Sequence, residues 1–298
     1  MLLKDIKYSY NDVMIIPSKV SNIEHRSECD PFHKDGYLPI FTAPMSTVVD
    51  LDNYQLFEDN HIHSILPRNI SYDIRLEYAL NNKWAAFSLK EFENFFCDEG
   101  YVKHYIKHKK KVLIDIANGH MKKLFVLAKK AKRLYGETLQ LMIGNIANPK
   151  TYEEVLKCGA DYVMIGSVFA QLIESAAKTF TINEETKEYT TYENDKDKII
   201  EQDGIFIIND ELIVGKLFKI FYGMASKEGQ IDIFGEKTKT SEGIVKTLPC
   251  TTNVNKWVQN MIDYLRSTMS YTDINNVYHL DKVELILISD KTYNSINK

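Results

Sequence analysis

The chain of 298 residues is 44% hydrophobic and 26% charged, with a formal charge of −4 and a pI near 6.1. That length and apolar content can bury a large core as one big domain or two ordinary ones, and the slight acidity argues against nucleic-acid binding driven by bulk electrostatics. No run approaches the roughly eighteen apolar residues that span a bilayer, and the N-terminal MLLKDIKYSYNDV lacks the apolar core and cleavage site of a signal peptide, so a cytoplasmic protein without membrane or nucleic-acid partners is expected.

Ser9 to Ser21 holds an apolar run broken by Pro17, which suits an edge strand or an extended arm. Tyr37 to Ala43 (YLPIFTA) is a nearly continuous apolar run, the pattern of a strand buried on both faces. A loop at Pro44 to Thr47 and a helical pattern from Val48 to Asn60 follow, then a second apolar run, His61 to Leu66, ending in Pro67, Arg68 and Asn69. The alternation continues with Asp73 to Asn81 helical, Trp84 to Ser88 strand-like, Glu91 to Lys109 mostly helical and Val112 to Ala117 a buried strand. The basic run Lys103 to Lys111 reads as a solvated helix end. Met121 to Tyr135 is helical, Leu139 to Ile143 a strand, Thr151 to Cys158 a short helix stopped by Gly159, and Asp161 to Ile165 a further strand.

Strict alternation, with polar and glycine residues gathered where strands end, points to an α/β fold with a parallel sheet. The (β/α)8 barrel, a TIM-barrel-like architecture, is the leading expectation, and in it the loops after the strands carry the chemistry. The rhythm breaks at Lys178 to Gly215, which is charged and rich in β-branched residues and reads as a hairpin insertion within a single domain of residues 1–298. Asn255 to Met269 is helical, and VELILISD is a last strand-like run.

Three places could carry chemistry. Gly166-Ser167, between the strand DYVMI and the helical VFAQLIE, would put main-chain N–H groups, a hydroxyl and a helix end together, as either a phosphate site or a plain helix cap. Asp115 lies on an otherwise apolar strand, where a charge needs a partner, so it is either a ligand contact or half of a buried ion pair. Gly144-Asn145 would lie beside it on the same rim. Leu217 to Gly243 joins an apolar strand to the small-residue turn Tyr222, Gly223, Met224, Ala225 and Ser226, whose main-chain edges suit a flat polar ligand or make an ordinary surface loop. The four cysteines, Cys29, Cys97, Cys158 and Cys250, have no CxxC pair and no histidine at metal spacing, so free thiols and no metal site are expected.

The blocks NDVMIIPSKVSNIEHRSECD, LPIFTAPMSTV, HSILPRN, LIDIANGH, LMIGNIANPKTYEEVLKCGAD, YVMIGSVFA and FYGMAS, followed by SEG and LRSTMSY, resemble the IMP dehydrogenase and GMP reductase family, in family order over most of the chain. The uninterrupted passage after Asn69 and the wording KIFYGMAS lean toward the reductases. The resemblance implies a purine nucleotide substrate, NADPH or NADH as cofactor, and a homo-oligomer, tetrameric in the family. It matches Gly166 and Ser167 to a phosphate-binding turn, Tyr222, Gly223 and Met224, with Ala225 and Ser226, to a nucleotide-holding segment, and Met45 and Ser46 to the loop beneath the ligand. Lys239, Ser241, Glu242 and Gly243 match a segment that closes over the purine. Arg68, Asp115 and Ala117, with Asn145 on the same rim and Ser267 and Thr268 from a neighbouring subunit, match positions that meet the nicotinamide dinucleotide.

One departure stands out. Between Gly144-Asn145 and Gly166-Ser167 the family has about two more βα units, which carry the catalytic cysteine, its neighbouring threonine and glutamate, and an aspartate for the ribose hydroxyls. Here one short helix, TYEEVLKCGAD, joins the two strands. Glu242 and Asp115 remain as acid-base candidates, and neither is a nucleophile. Two readings follow: a divergent reductase-like enzyme working without the usual cysteine, or an inactive nucleotide-binding subunit assembling with an intact relative. The insertion and the VELILISD run are the segments expected to fill the gap in the barrel.

Overall fold

The computed structural model describes residues 13–105, 107–119, 121–144, 163–182, 189–192, 199–202, 205–209, 211–213, 216–236, 240, 241, 243, 245–250 and 252–287. The chain divides into two compact units, Met1–Pro39 with Val258–Lys298, and Ile40–Trp257. Strand β1 (Val13–Ile15) belongs to the smaller unit.

The larger unit begins with the alternation read from the sequence: β2 (Ile40–Thr42), α1 (Tyr54–Asp59), β3 (Ile65–Leu66), α2 (Tyr72–Leu80), β4 (Trp84–Phe87), α3 (Leu89–Phe96), α4 (Glu99–Tyr105), β5 (Lys110–Asp115), α5 (Lys122–Tyr135), β6 (Leu139–Gly144) and β7 (Val163–Ile165). Strands β3 to β6 pair in parallel in chain order, and β2 pairs in parallel with β7. A parallel bridge between Phe41 and His63, with the Thr42 amide donating to the His63 carbonyl at 2.9 Å, joins the two sets. The resulting order is β7-β2-β3-β4-β5-β6. The fold is therefore mixed α/β with parallel sheet, and among the described residues the sheet does not close; β7 and β6 are its outer strands.

The apolar runs are buried on both faces because each face has its own cover. Phe41, Ile65, Trp84, Ala86 and Leu113 form a core cluster on one face, with Met142 packed against it. Alternate residues of β4 turn the other way, where the Phe87 ring meets Phe96 of α3 at 5.4 Å. On α5, Leu124, Leu127, Ala128, Ala131 and Tyr135 are buried at helical spacing. The helix α3 opens with a capping box, in which Ser88 Oγ accepts from the Glu91 amide and the Glu91 carboxylate accepts from the Ser88 amide. Arg75, 3% exposed, ties that box to the sheet by donating to Glu91 at 2.7 Å and to the Ala86 carbonyl at 2.6 Å.

Two local expectations change, and a third lies outside the described residues. The helix read after Gly166-Ser167 is one 3-10 turn, Phe169–Gln171, so a helix macrodipole contributes little there. Lys110, at the end of the basic run, is buried, with its Nζ donating to the His108 carbonyl and lying 4.4 Å from the centre of the Tyr135 ring. A carbonyl and an aromatic face replace the water a lysine ordinarily keeps. The short helix read at Thr151 to Cys158 lies outside the described residues.

The stretch from Lys178 to Gly215 contributes β8 (Thr179–Ile182), β9 (Tyr189–Tyr192), β10 (Ile199–Gln202), β11 (Ile205–Ile208) and β12 (Glu211–Ile213). The pair β8–β9 is antiparallel, and β10, β11 and β12 form an antiparallel meander. Then come β13 (Leu217–Phe221), α6 (Lys227–Phe234), β14 (Lys246–Pro249) and α7 (Val254–Tyr271). Strand β13 lies between β8 and β14, antiparallel to both. None of these described strands pairs with the parallel sheet. The final strand, β15 (Leu285–Leu287), pairs antiparallel with β1 in the smaller unit. The expectation that the VELILISD run fills a gap in the barrel is thus corrected: its ladder partner is the N-terminal strand. The smaller unit packs Cys29, Met269 and Val277 against Ile23, Leu265, Ile274 and Leu280.

Lys219, in the middle of β13, is 0% exposed. Its Nζ donates to the carbonyls of Ile173 at 2.7 Å and of Ser175 and Ala177 at 3.3 Å each. Burial lowers its pKa from 10.5 to about 8, against the opposing pull of Cys250, Glu174 and Asp50. Because the folded-state value is the lower one, the unfolded chain binds the extra proton between pH 8 and 10.5. The charge-burial cost is fully present below pH 8 and is relieved as pH rises. Lys219→Met therefore separates the effect: the stability of wild type relative to this variant increases by on the order of 3 kcal/mol across that window. Urea unfolding at stepped pH measures it, and a difference independent of pH would refute the assignment.

Candidate functional site

Strands β2 and β7 are in register from Ile40–Val163 to Thr42–Ile165, so the loops that follow them leave the sheet at the same end. The Ala43 amide donates to the Ile165 carbonyl at 2.8 Å. Just beyond, Gly166 presses on the β2 loop: a Cβ there would lie 3.2 Å from Met45 Sδ and 3.3 Å from Ala43 Cβ. A larger residue would have to displace Met45. The Met45 carbonyl accepts from the amides of Val48 and Val49 at 2.9 and 3.1 Å, which folds the loop tightly and leaves Ser46 at its tip. Ser167 is exposed, and its carbonyl accepts from Gln171 Nε2 at 3.2 Å.

The second half of the site comes from β13 and α6. Ser226 caps α6, its Oγ accepting from the Gly229 amide at 3.1 Å, and its own amide donates to the Gly223 carbonyl at 2.9 Å. Gly229 is indispensable to this turn, because a Cβ would stand 2.5 Å from the Gly223 oxygen and 2.6 Å from Met224 Cα. Gln230 Nε2 donates to the Ala225 carbonyl at 3.3 Å. The turn from Tyr222 to Ser226 and the first helical turn therefore form one rigid piece.

The two halves meet at Asp232 on α6. Ser46 Oγ donates to Asp232 Oδ2 at 2.6 Å, and the Tyr222 hydroxyl donates to the same oxygen at 2.8 Å. Thr47 Oγ1 reaches the Tyr222 carbonyl at 3.5 Å, and Ser46 Oγ lies 3.8 Å from Met224 Sδ. Burial first, and then the Asp232 carboxylate, push the Tyr222 phenol up to about 12, with the Ser46 hydroxyl pulling the other way. Gly243, at φ 110°, would place a Cβ 3.8 Å from the Ser226 amide, so this part of the segment Lys239 to Gly243 lies against the turn. Ser241 Oγ is buried with no hydrogen-bond partner among the described residues.

The structure thus brings together Met45, Ser46, Gly166, Tyr222, Gly223, Met224, Ser226 and Gly243, with Ala225 exposed on the turn. Asp232 joins them without having been singled out in the sequence. It lies in the otherwise ordinary helix KEGQIDIF, where an acidic residue in the second turn carries no local signal. Lys239, Glu242 and Asn145 lie outside the described residues.

Arg68, after β3, and Asp115, at the end of β5, form an ion pair, Nε to Oδ2 at 2.8 Å, with side chains 23% and 18% exposed. Asp115 is therefore half of a partly exposed ion pair. Ala117 is exposed near the same rim. Ser267 and Thr268 lie on α7 in the smaller unit, where Ser267 Oγ accepts from Arg26 at 3.2 Å and the Thr268 carbonyl accepts from Thr272 Oγ1 at 2.9 Å. Cys29, Cys97 and Cys250 are buried free thiols. Burial raises the thiols of Cys29 and Cys97, which disfavours the thiolate form a nucleophile needs. Cys158 lies outside the described residues. Among the described residues no group of acidic, histidine and cysteine side chains could hold a metal, and no helix is long and apolar enough to cross a membrane.

These loops and the strand-turn-helix beside them define an α/β protein with a cluster of small residues at the strand ends. The particular resemblance is to the GMP reductases. The chain is 22% identical to a GMP reductase of Caenorhabditis elegans over 93% of this chain and 90% of that protein, and 22% identical to GMP reductase 2 of Bos taurus over 90% of each. It is 28% identical to a GMP reductase of Staphylococcus epidermidis over 53% of this chain, which spans 50% of that enzyme's length. No protein-family model matches the chain. The likeness to the IMP dehydrogenase and GMP reductase family drawn from the motifs is therefore matched by whole-chain similarity.

Gly229→Ala should lower the unfolding free energy by about 1 to 3 kcal/mol, since the added methyl meets main chain that cannot rotate away. Lys227→Ala, on the exposed side of the same helix, serves as the control. Equal stability of the two variants in urea would show that the helix is not clamped to the turn.

Proposed function

We propose that the chain is a divergent GMP-reductase-like enzyme that acts on a purine nucleotide with a nicotinamide cofactor. The observation that carries the reading is the meeting of the β2 loop, the Gly166 turn and the Tyr222–Ser226 turn at one place, joined through Ser46, Tyr222 and Asp232. Main-chain N–H groups of the Gly166–Ser167 turn would take the phosphate, and the backbone of Tyr222 to Met224 would take the base, under the segment that includes Lys239, Ser241, Glu242 and Gly243. The parallel order β7-β2-β3-β4-β5-β6 supports reading the sheet as an arc of a TIM-barrel-like (β/α) fold.

The rim residues fit a nicotinamide carboxamide in one respect. Arg68 spends Nε on Asp115, and its terminal nitrogens make no hydrogen bond among the described residues, so the pair offers donors and an acceptor side by side without net charge. Arg68, Asp115 and Ala117, with Asn145 and with Ser267 and Thr268 from a neighbouring subunit, would hold NADPH or NADH. When bound, the cofactor supplies the hydride. Glu242 is the acid-base candidate nearest the purine in this reading, with Asp115 tied to Arg68.

A second reading is favoured by the cysteines: the three described thiols are buried, and none lies among the site residues. An inactive purine-nucleotide-binding subunit, assembling with an intact relative, would need no nucleophile. Both readings place the protein in the cytoplasm as an oligomer.

The test is to incubate the purified protein with GMP or IMP, each with NADPH, NADH or NAD, following absorbance of the reduced cofactor while nucleotide affinity is measured by calorimetry. Turnover supports the enzyme. Binding without turnover leaves the inactive subunit, and absence of binding removes both. Ser167→Asp, an exposed substitution that puts a carboxylate where the phosphate would sit, should weaken nucleotide binding at least tenfold without changing the unfolding midpoint.

A further inference from the structure

Charge is spread unevenly along this chain. Residues 103–135 hold eleven of its 37 lysines and arginines but one of its 41 acidic residues, Asp115, and that one is tied to Arg68. Helix α5 carries the centre of this segment. With Leu124, Leu127, Ala128, Ala131 and Tyr135 turned into the core, the line opposite them at helical spacing is Lys122, Val126, Lys129 and Arg133, all exposed. Lys122, Lys129 and Arg133 make no side-chain hydrogen bond or ion pair among the described residues. On one flank Lys132 donates to the carbonyls of Gly136 at 3.2 Å and Leu139 at 2.9 Å, and on the other Lys123 pairs with Glu93 of α3 at 2.6 Å. Leu139 is the ladder partner of Lys110, so the exposed Lys107 and Lys109 extend the basic band past the end of the helix.

Helix stability does not account for these residues. The first turn holds Lys122 and Lys123, with no acidic residue and no side-chain cap, where the helix dipole favours negative charge. Lys129 stands three and four residues before Lys132 and Arg133, spacings at which like charges repel. A partner of opposite charge would offset both costs. The outline of the band narrows what that partner is. It is one helix wide, since on the α3 side it ends at the Lys123–Glu93 pair, and it runs about 16 Å from Lys122 to Arg133. A linear polyanion fits this outline better than a plane of lipid headgroups. The apolar stripe of α5 is already used by the core, which leaves Met121 and Val126 alone to enter a bilayer. Nor does the helix expose an aromatic ring on which single-stranded bases could stack, because Phe125 is half-buried and Tyr135 is buried.

We propose that the outer face of α5, with Lys107 and Lys109, binds the phosphate backbone of a nucleic-acid duplex without regard to its sequence. At ~3.4 Å per phosphate along one strand, the line from Lys122 to Arg133 spans about five phosphates. The net charge of −4, which argues against such a partner, averages over this uneven distribution. The proposal does not rest on the nucleotide reading above.

The experiment is fluorescence anisotropy of labelled DNA and RNA duplexes of about 20 base pairs, titrated with the full chain at salt from about 50 to 200 mM. Wild type is expected to bind both duplexes, with an affinity that falls steeply as salt rises. The triple variant Lys122→Gln, Lys129→Gln, Arg133→Gln should bind at least about tenfold more weakly at the lower salt, with a slope of log affinity against log salt smaller by about 2 to 3. Its urea midpoint should equal or exceed that of wild type, since neutralising like charges relieves α5. A control, Lys19→Gln, Lys246→Gln, Lys282→Gln, neutralises three exposed lysines elsewhere, changes the net charge equally and should keep most of the affinity. Absence of duplex binding by wild type overturns the proposal, and so does an equal loss in the control, which would reduce the effect to net charge. Wild type that floats with vesicles rich in phosphatidylserine while ignoring both duplexes would assign the band to a membrane and overturn it likewise. A lowered urea midpoint in the triple variant would show that these side chains serve the fold, which is the last result that sinks it.

Discussion

The ammonium of Lys219 inside its ring of carbonyls is the contact on which the site's architecture depends. Ile173, Ser175 and Ala177, whose carbonyls receive it, follow the Gly166–Ser167 turn, while Lys219 itself lies two residues before the end of β13, which delivers Tyr222. No described ladder joins β13 to the parallel sheet. The lysine thus ties the antiparallel layer to the segment leaving β7, within the larger unit. A buried charge held by three neutral acceptors is costly to form and more costly to break, since losing the ammonium strands the carbonyls. Its neighbourhood is further stitched by Asn53, which donates to the carbonyls of Val48 and Glu174, and by Glu174, whose carboxylate receives the amide of Val254 at the start of α7.

Much of this was legible in the sequence, and the part that was not has a common cause. Continuous apolar runs such as WAAF and the helical spacing of α5 announce themselves because burial on two faces, or on one stripe, leaves a periodic trace. The Tyr222–Ser226 turn and the Gly166 turn were visible as small residues at strand ends. Lys219 could have been found by the argument applied to Asp115: a charge in the middle of LFKIF needs a partner just as one in VLIDIA does. What no local pattern reveals is the identity of that partner. Arg68 lies 47 residues from Asp115, and the Lys219 acceptors are main-chain carbonyls, which have no sequence signature. Asp232 was invisible for a related reason, because its partners come from a loop 186 residues earlier and a turn 10 residues earlier.

Charge differs from one part of the candidate site to another. The rim between β3 and β5 is neutralised by the Arg68–Asp115 pair, so it suits an uncharged polar group. The surface around Asp232 is rich in lone pairs and suits donors. Main-chain N–H groups at the turn after β7 are the remaining place for an anion, and the single 3-10 turn there gives them little help from a helix dipole. Anion affinity in such a site would rest on individual hydrogen bonds, and so would be sensitive to the close fit of Gly166 against Met45.

The site-bearing strands also explain how a sheet that stays open among the described residues can keep a clamp. Loops after β7 and β2 come from one parallel pair, and the rim residues after β3 and on β5 from a four-stranded parallel sheet joined to that pair by the Phe41–His63 bridge. The opening lies between β6 and β7, beyond the last strand that carries a matched rim residue within the described structure. Parallel strands are positioned by their immediate neighbours, so a change at one edge of the sheet need not propagate to the other.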